Sequence, residues 1–294
     1  MKAMSPAGSC GATRGGMLRT GAAITLLAIA AAGQAGVPAG TVTAADILRR
    51  AEEIRNPKAA YAVEFTLRTV NPASDWKERT SRYTMIARGK DDAMVLMRYP
   101  AQFYPGTLLM TGGTYWFLLP RADKPLQLSE HQILAGDIAY GDLARGNLLR
   151  SYEARLNGEE TLGDSRCWRL ELTRTSPEAR YARVRCWIEQ RSHRPRRFEY
   201  YGMTGVLLKT AVYTEYGGTR LGQRPARVEV TSPARPDETT TLLFTELRPL
   251  DLSRVSFTTE GLHAFRDAVL DCASAGDAQA RVEDVVARLG RTGS

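Results

Sequence analysis

The sequence predicts a mainly β fold of the α+β class, a strongly curved antiparallel sheet with helices at its start, across its hollow and at its end. Three patterns predict it. From Tyr61 to Leu250, segments alternate apolar and polar residues with period two, and turn residues separate them. Between Arg121 and Arg150 that alternation stops for a stretch too long to be a plain loop in a compact domain. Near both ends of the chain, apolar residues recur at spacings of three and four instead.

The 294 residues suffice for one large or two ordinary domains, and 43% hydrophobic with 24% charged residues is a globular balance. The net charge is +8, but Lys2, Arg14 and Arg19 lie in the first 35 residues, which hold no acid. Arginines elsewhere alternate with acids, as in RVRCWIEQ, so a solvated sheet face accounts for them and nucleic-acid binding is not expected.

Residues 1–40 read as an export signal and linker. Arg14 and Arg19 precede the apolar run Gly21 to Gly33, and cleavage is expected after Ala35 or Ala39. Met17 would open a complete signal by itself. The run is shorter than the roughly 20 residues a membrane span needs. Cys10 lies before it, so a soluble product is expected rather than a lipoprotein. The Ala- and Arg-rich composition looks bacterial, which makes the expected compartment the periplasm.

The first helix runs from Ala44 to Arg55, with Ile47, Leu48, Ala51 and Ile54 on one stripe and Asn56-Pro57 as the stop. YAVEFTLRTV then points Tyr61, Val63, Phe65 and Leu67 one way. WKERTSRYTMIARG, AMVLMRYP and a PGTLLM/TYWFLLP hairpin around Gly112-Gly113 follow. The middle strands are apolar on both faces, so they are covered twice or line a cavity. Residues 121–150 are read as short helices packed on the sheet, either as a core plug or as a movable lid.

Later strands suggest Trp168, Leu170 and Leu172 on the covered face, with Val184, Cys186 and Ile188, with Phe198 and Tyr200, with Val206, Leu208, Thr210 and Val212, and with Ala226, Val228 and Val230. Arg169, Glu171, Arg183, Arg185, Arg197, Glu199 and Lys209 take the wet face. About ten strands is near the limit at which an open sheet curls. The tail from Thr259 holds two amphipathic helices, one with Leu262, Phe265, Val269 and Cys272, the other with Val282, Val285, Val286 and Leu289.

Candidate chemistry is sparse. Cys167 and Cys186 sit on opposite faces by register, which argues against a bridge unless a bulge intervenes. His131, His193 and His263 are scattered and read as surface or loop residues. Glu159-Glu160 and Asp91-Asp92 fall in turn-like stretches. No metal, cofactor or catalytic constellation is read, so an enzyme is not expected.

In texture and order, the helix-then-strand entry AADILRRAEEIRNPKAAYAVEFTL, the segment YGDLARGNLLRSY, NGEETLGDSRCWRLELT followed by YARVRCWIEQ, and RPRRFEYYGMTGVLLKTAVY resemble the LolA-like periplasmic proteins, in particular the outer-membrane lipoprotein-sorting branch. The likeness spans residues 44–257. It implies a half-open LolA/LolB-like barrel with a helical lid over residues 41–258; the helical tail over 259–294, read from its own apolar stripes, is not part of the family pattern. The likeness also implies a monomeric carrier that holds lipoprotein acyl chains or lipid and exchanges them with membrane-protein donors and acceptors of the envelope. A lipid- or protein-sensing module on the same fold is the alternative, suggested by the amphipathic tail. The residues expected to line the hollow are Phe65, Leu67, Met85, Leu96, Trp116, Leu118, Leu170, Val184, Phe198 and Leu208.

Overall fold

A computed structural model describes residues 42–89, 91–129, 133–139, 142, 148–177, 179–245, 247–274 and 281–290. The expected export signal, His131 and most of YGDLARGNLLRSY lie outside the described residues.

Helix α1 (Ala44–Arg55) begins where Thr43 Oγ1 accepts the backbone N–H of Asp46 at 3.1 Å, and ends where the Asn56 N–H reaches the Glu52 carbonyl at 2.7 Å. The chain then builds β1 (Tyr61–Val70), β2 (Glu78–Arg88), β3 (Asp92–Tyr99), β4 (Thr107–Thr111), β5 (Thr114–Leu118) and β6 (Leu126–Leu128). After an insert it continues through β9 (Tyr152–Leu162), β10 (Ser165–Arg174), β11 (Arg183–Glu189), β12 (Pro195–Tyr201), β13 (Leu207–Thr219), β14 (Gly222–Ser232) and β15 (Arg235–Phe244). The short β16 (Arg248–Pro249) pairs with β1.

Every pairing in the main sheet is antiparallel, in the order β6-β5-β4-β3-β2-β1-β15-β14-β13-β12-β11-β10-β9, with β16 making fourteen strands among the described residues. The two meanders meet at β1 and β15, where Phe65 lies opposite Phe244. The outermost strands, β6 and β9, do not pair with each other, so the barrel stays half open.

That order places the insert. The chain leaves one edge of the sheet at β6 and must re-enter at the other edge, β9, so the connecting residues have to cross. Their described part holds a hairpin of β7 (Ile133–Ala135) and β8 (Ile138–Ala139), then the short helix α2 (Leu148–Ser151). The expectation of helices alone is corrected here: the turn Gly136-Asp137 folds the segment back as a two-stranded ribbon.

Two cores form, one on each face. The concave core joins Ile47, Leu48 and Ala51 of α1 to Val63, Phe65, Leu67, Met85, Val95, Leu170, Val184, Phe198 and Tyr213. Helix α1 lies against β9, β11 and β14, so it fills that half of the hollow. The convex core takes the alternate residues Ala62, Ile86, Met94, Leu96, Leu109 and Leu118 under Leu262, Phe265, Val269, Val282 and Val285. Those five belong to helices α3 (Thr259–Ser274) and α4 (Val282–Leu289). The strands that are apolar on both faces are thus covered on both faces, and the apolar stripes of the tail are spent on the sheet. Arg266 donates to the Ala122 carbonyl at 2.6 Å and Arg288 pairs with Asp271 at 2.7 Å, which fixes the two helices in place.

The rest of the convex face is a charge ladder. Glu171 pairs with Arg183 at 2.9 Å and Arg185 at 3.1 Å, and Glu199 pairs with Arg197. Glu171 and its arginines are partly exposed, as the alternating signs lead one to expect, whereas Glu199, expected to be wet, is buried beneath its arginine partners. One strand departs from expectation. In β13 the inward residues are Lys209, Ala211 and Tyr213, whereas Leu208 is 44% and Val212 37% exposed. Opposite Phe198 stands Ala211, and opposite Arg197 stands Val212.

Cys167 pairs with Glu189 and Cys186 with Leu170 in the β10–β11 ladder, and both cysteines are free thiols. Burial pushes the Cys167 thiol up to about 11 and the Cys186 thiol higher still, so both pack as small apolar groups.

Candidate ligand cavity

The half of the hollow that α1 leaves free contains a cavity of about 110 Å³. Its walls come from β1, β2, β12, β13, β14 and β15, with Ile138 and Asp142 of the insert and the end of α1. Val63, Phe65, Met85, Ala211, Val228, Val230, Leu242 and Phe244 make most of it apolar. A second space, about 690 Å³, continues along β1 past Leu67 and Thr69, and is bounded by Trp76, Met97, Phe103, Leu134 and Gly136. The rings of Phe65 and Tyr83, stacked 4.9 Å apart, stand between the two. The inner cavity is smaller than the roughly 150 Å³ space that accepts benzene in an engineered core, while the outer groove falls within the roughly 300–1,000 Å³ range of ligand pockets.

The insert is fastened over this hollow by polar contacts. Arg235 donates to the Gly136 carbonyl at 2.9 Å and pairs with Asp137. A Cβ on Gly136, whose φ is +51°, would meet Thr240 Oγ1 at 1.9 Å, so the turn touches the sheet as only glycine can. Further along, Asp142 accepts from Lys209, pairs with Arg180 at 3.3 Å and accepts the Tyr181 hydroxyl at 2.9 Å. Burial lowers the Lys209 pKa, and Asp142 acts in the opposite direction. Glu52, buried in α1, accepts the backbone N–H of Leu148 at the start of α2.

Aromatic hydroxyls and cations line the rest. Burial raises the pKa of Tyr200 and Tyr213, so both remain neutral hydrogen-bonding groups. Arg55 lies over Phe198 at 5.1 Å and Tyr213 at 5.8 Å from the ring centroids, and Arg224 lies 5.6 Å over Tyr61.

Of the ten residues expected to line the hollow, Phe65 and Met85 face the inner cavity and Leu67 the outer groove. Leu170, Val184 and Phe198 share the concave face but are buried in the core that α1 fills. Four are corrected. Leu96 and Leu118 lie in the convex core and Trp116 packs against it, beneath α3 and α4, because both faces of β3–β5 are apolar and alternation cannot rank them. Leu208 points to solvent, because β13 turns Lys209 inward to meet Asp142. Sequence reasoning missed Arg55, Asp142, Lys209 and Arg224. A signal for Arg55 exists: it follows Leu48 and Ala51 at spacings of seven and four, on the apolar stripe of α1. His193 and His263 are half-buried, and neither is among the described residues that line the cavity. Among the described residues no group of His, Cys, Asp and Glu is placed to hold a metal ion.

A half-open antiparallel sheet, hollow on one face and crossed by an insert, defines a concave binding scaffold. A LolA superfamily protein from Nitrosomonas europaea has that fold, at 31% identity and a TM-score of 0.68, over 75% of this chain and 99% of its own. A family model described only as an uncharacterized protein matches residues 89–264. The chain belongs to the LolA superfamily. Two more distant structures share the fold. A DUF1329 family protein from Desulfovibrio piger is 18% identical, with a TM-score of 0.66 over 74% of this chain and 97% of its own. A domain described as an outer membrane lipoprotein-sorting protein, from Vibrio parahaemolyticus, is 17% identical, with a TM-score of 0.65 over 74% and 97%. Comparison with curated proteins gives no match.

Proposed function

We propose that this protein is a carrier that holds lipoprotein acyl chains, or a lipid, in the concave hollow and ferries them across the periplasm. The observation that carries the reading is the placement of the insert. It joins the two unpaired edges of the sheet, and its Ile138 lines an apolar cavity while its Leu134 and Gly136 line a wider groove beside it. Membership of the LolA superfamily supports the same reading. Binding of this kind needs no covalent chemistry: each buried methylene contributes about 0.8 kcal/mol, so one acyl chain is held by burial alone. The inner cavity is too small for a whole chain, so loading lifts the β7–β8 hairpin and merges cavity with groove.

In this reading residues 1–40 direct export and are removed, residues 41–258 form the carrier domain, and residues 259–294 brace its convex face. A membrane protein of the envelope delivers the cargo and another receives it. No described helix is long and apolar enough to cross a membrane.

Native mass spectrometry of the secreted form, purified gently from a membrane-containing extract, tests the proposal. A co-purifying lipid or acylated peptide is the expected result, and its mass names the cargo class. A clean unliganded mass, together with no uptake of a fluorescent fatty-acid probe, would overturn it.

A further inference from the structure

Along the sheet, arginines meet carboxylates: Arg166 pairs with Glu159, Arg183 and Arg185 with Glu171, and Arg227 with Glu229. One end of the barrel departs from this. The β9–β10, β11–β12 and β13–β14 turns fall at that end, because alternate hairpins of an antiparallel meander return to the same side. Arg191 and Arg194 lie in the second of these turns, Arg196 just after it at the start of β12, and Arg220 in the third. Arg50 of α1 joins them, with Nη1 3.4 Å from His193 Nε2. Arg194 donates to Gln223 Oε1 at 2.8 Å and lies 5.0 Å over the Tyr216 ring, which ties the second turn to the third. Arg50, Arg191 and Arg220 are exposed; Arg194 and Arg196 are half-buried.

The contacts of these five arginines do not neutralise them. Burial and then Arg50 lower the His193 pKa, so the imidazole is uncharged at neutral pH, and Gln223 and Tyr216 carry no charge. Among the described residues no carboxylate forms an ion pair with any of the five. Two acids share the same turns. Glu189, at the end of β11, is taken by the hydroxyls of Ser165 at 3.2 Å and Ser192 at 2.5 Å, and Arg194 and Arg196 act on it only from longer range. Asp164 is exposed in the first turn. Five arginines against two acids leave a surplus of three positive charges on one end of the molecule.

The chemistry of the patch selects its partner. All five cations are guanidiniums, whose planar forks match phosphate oxygens in pairs. None of the large apolar side chains exposed on the protein comes from these turns, and the rings of Trp168 and Tyr216 are covered by His193 and Arg194. A protein interface is anchored by apolar or aromatic side chains at its centre, and this end offers none. A layer of acidic headgroups needs only the charge.

We infer that this end of the barrel docks on an anionic bilayer, with Arg50, Arg191, Arg194, Arg196 and Arg220 seated among the lipid phosphates. None of the five lines the inner cavity or the outer groove, so the inference goes beyond the carrier reading and does not depend on it.

Co-sedimentation of the secreted form with vesicles tests it, using pure phosphatidylcholine and an equimolar mixture of phosphatidylcholine and phosphatidylglycerol. Each arginine near an anionic surface is worth about fivefold in binding, so the acidic vesicles are expected to bind about tenfold or more tighter, and less so at high salt. Arg50→Gln/Arg191→Gln/Arg220→Gln should bring the acidic vesicles to within about twofold of the neutral ones. Arg68→Gln/Arg155→Gln/Arg183→Gln removes the same charge from paired arginines elsewhere and should keep most of the preference. Thermal melts check the fold of both, and Arg191→Gln/Arg220→Gln serves if the first triple variant does not fold. Equal loss in the two triple variants would show attraction by net charge alone and overturn the assignment to this end. Equal sedimentation of wild type with both vesicles, bound or unbound, would overturn docking on an anionic bilayer. Retention on polyglutamate without that vesicle preference would overturn it in favour of an acidic protein partner.

Discussion

The ammonium group of Lys209, on the concave side of β13, donates to the carboxylate of Asp142 in the insert. Lys209 is 7% and Asp142 15% exposed at the side chain, so this pair joins roof to sheet away from solvent. Arg180 and Tyr181 approach the same carboxylate. With the Arg235–Asp137 pair and the Glu52–Leu148 bond, the Lys209–Asp142 pair holds the insert in place. It also explains why a lysine flanked by Leu208 and Thr210 points inward.

Replacing Asp142 by Asn strands a buried ammonium beside Arg180. Breaking a buried pair by removing one partner costs about 3–5 kcal/mol. Asp142→Asn is expected to lower the urea midpoint accordingly. The double variant Asp142→Leu/Lys209→Met should recover part of the loss, because the buried ammonium is gone, although Arg180 still loses its contact with that carboxylate. Equal destabilisation of single and double variants would show that the pair is not what fastens the insert.

Gly136→Ala places a methyl group against Thr240 Oγ1, where the ideal Cβ position lies 1.9 Å away, in a φ region that disfavours alanine. The turn must lift, and the cost falls on the insert rather than on the sheet. Amide exchange at Thr69 and Thr240 should accelerate while global unfolding shifts by less than about 3 kcal/mol. Unchanged exchange at both residues would count against contact between turn and sheet.

Burial raises the pKa of Tyr181, Tyr200, Tyr213 and Tyr216 above the ordinary tyrosine value of 10. The sign follows from linkage: the folded state favours the neutral phenol, so this stability is complete below pH 10 and is lost as pH rises above it. Tyrosinate absorbance is expected to rise in two stages, exposed rings first and these four only as the chain unfolds. A single transition near pH 10 with native circular dichroism retained would contradict their burial.

Two leucines separate the faces of the sheet. Leu208→Glu alters an exposed side chain and should change stability by no more than about 0.5 kcal/mol and leave lipid uptake unaltered. Leu96→Glu buries a carboxylate without a partner under α3 and α4, and should unfold the domain or detach the helices. Loss of uptake in Leu208→Glu with an unchanged melting curve would restore that residue to the hollow.

Much of the architecture was legible in the residues themselves. The run from Tyr61 to Val70 alternates so cleanly that its inward set, Tyr61, Val63, Phe65 and Leu67, follows from period two alone, and the same holds for Leu170 with Leu172 and for Val184 with Cys186 and Ile188. The stripe of α1 is legible because Ile47, Leu48 and Ala51 repeat at helical spacing, and so are the tail helices. Even the insert announces itself by the end of alternation at Arg121. In each case the information is local: one strand or helix turn compares its own two faces and the hydrophobic effect chooses between them.

The tertiary structure alone decided the rest. Leu96, Trp116 and Leu118 could not be placed because β3–β5 are apolar on both faces, and only the return of α3 and α4 from the far end of the chain made one face convex core. Lys209 could not be turned inward without Asp142, a partner 67 residues away in sequence. Arg55 and Arg224 became neighbours of one cavity only when β14 was folded beside β15 and β13. Local periodicity reports which side of an element avoids water; it carries no information about which buried charge will meet which distant group. That pairing is settled by the closure of long loops, and in this protein it is what converts a curved sheet into a lined and roofed hollow.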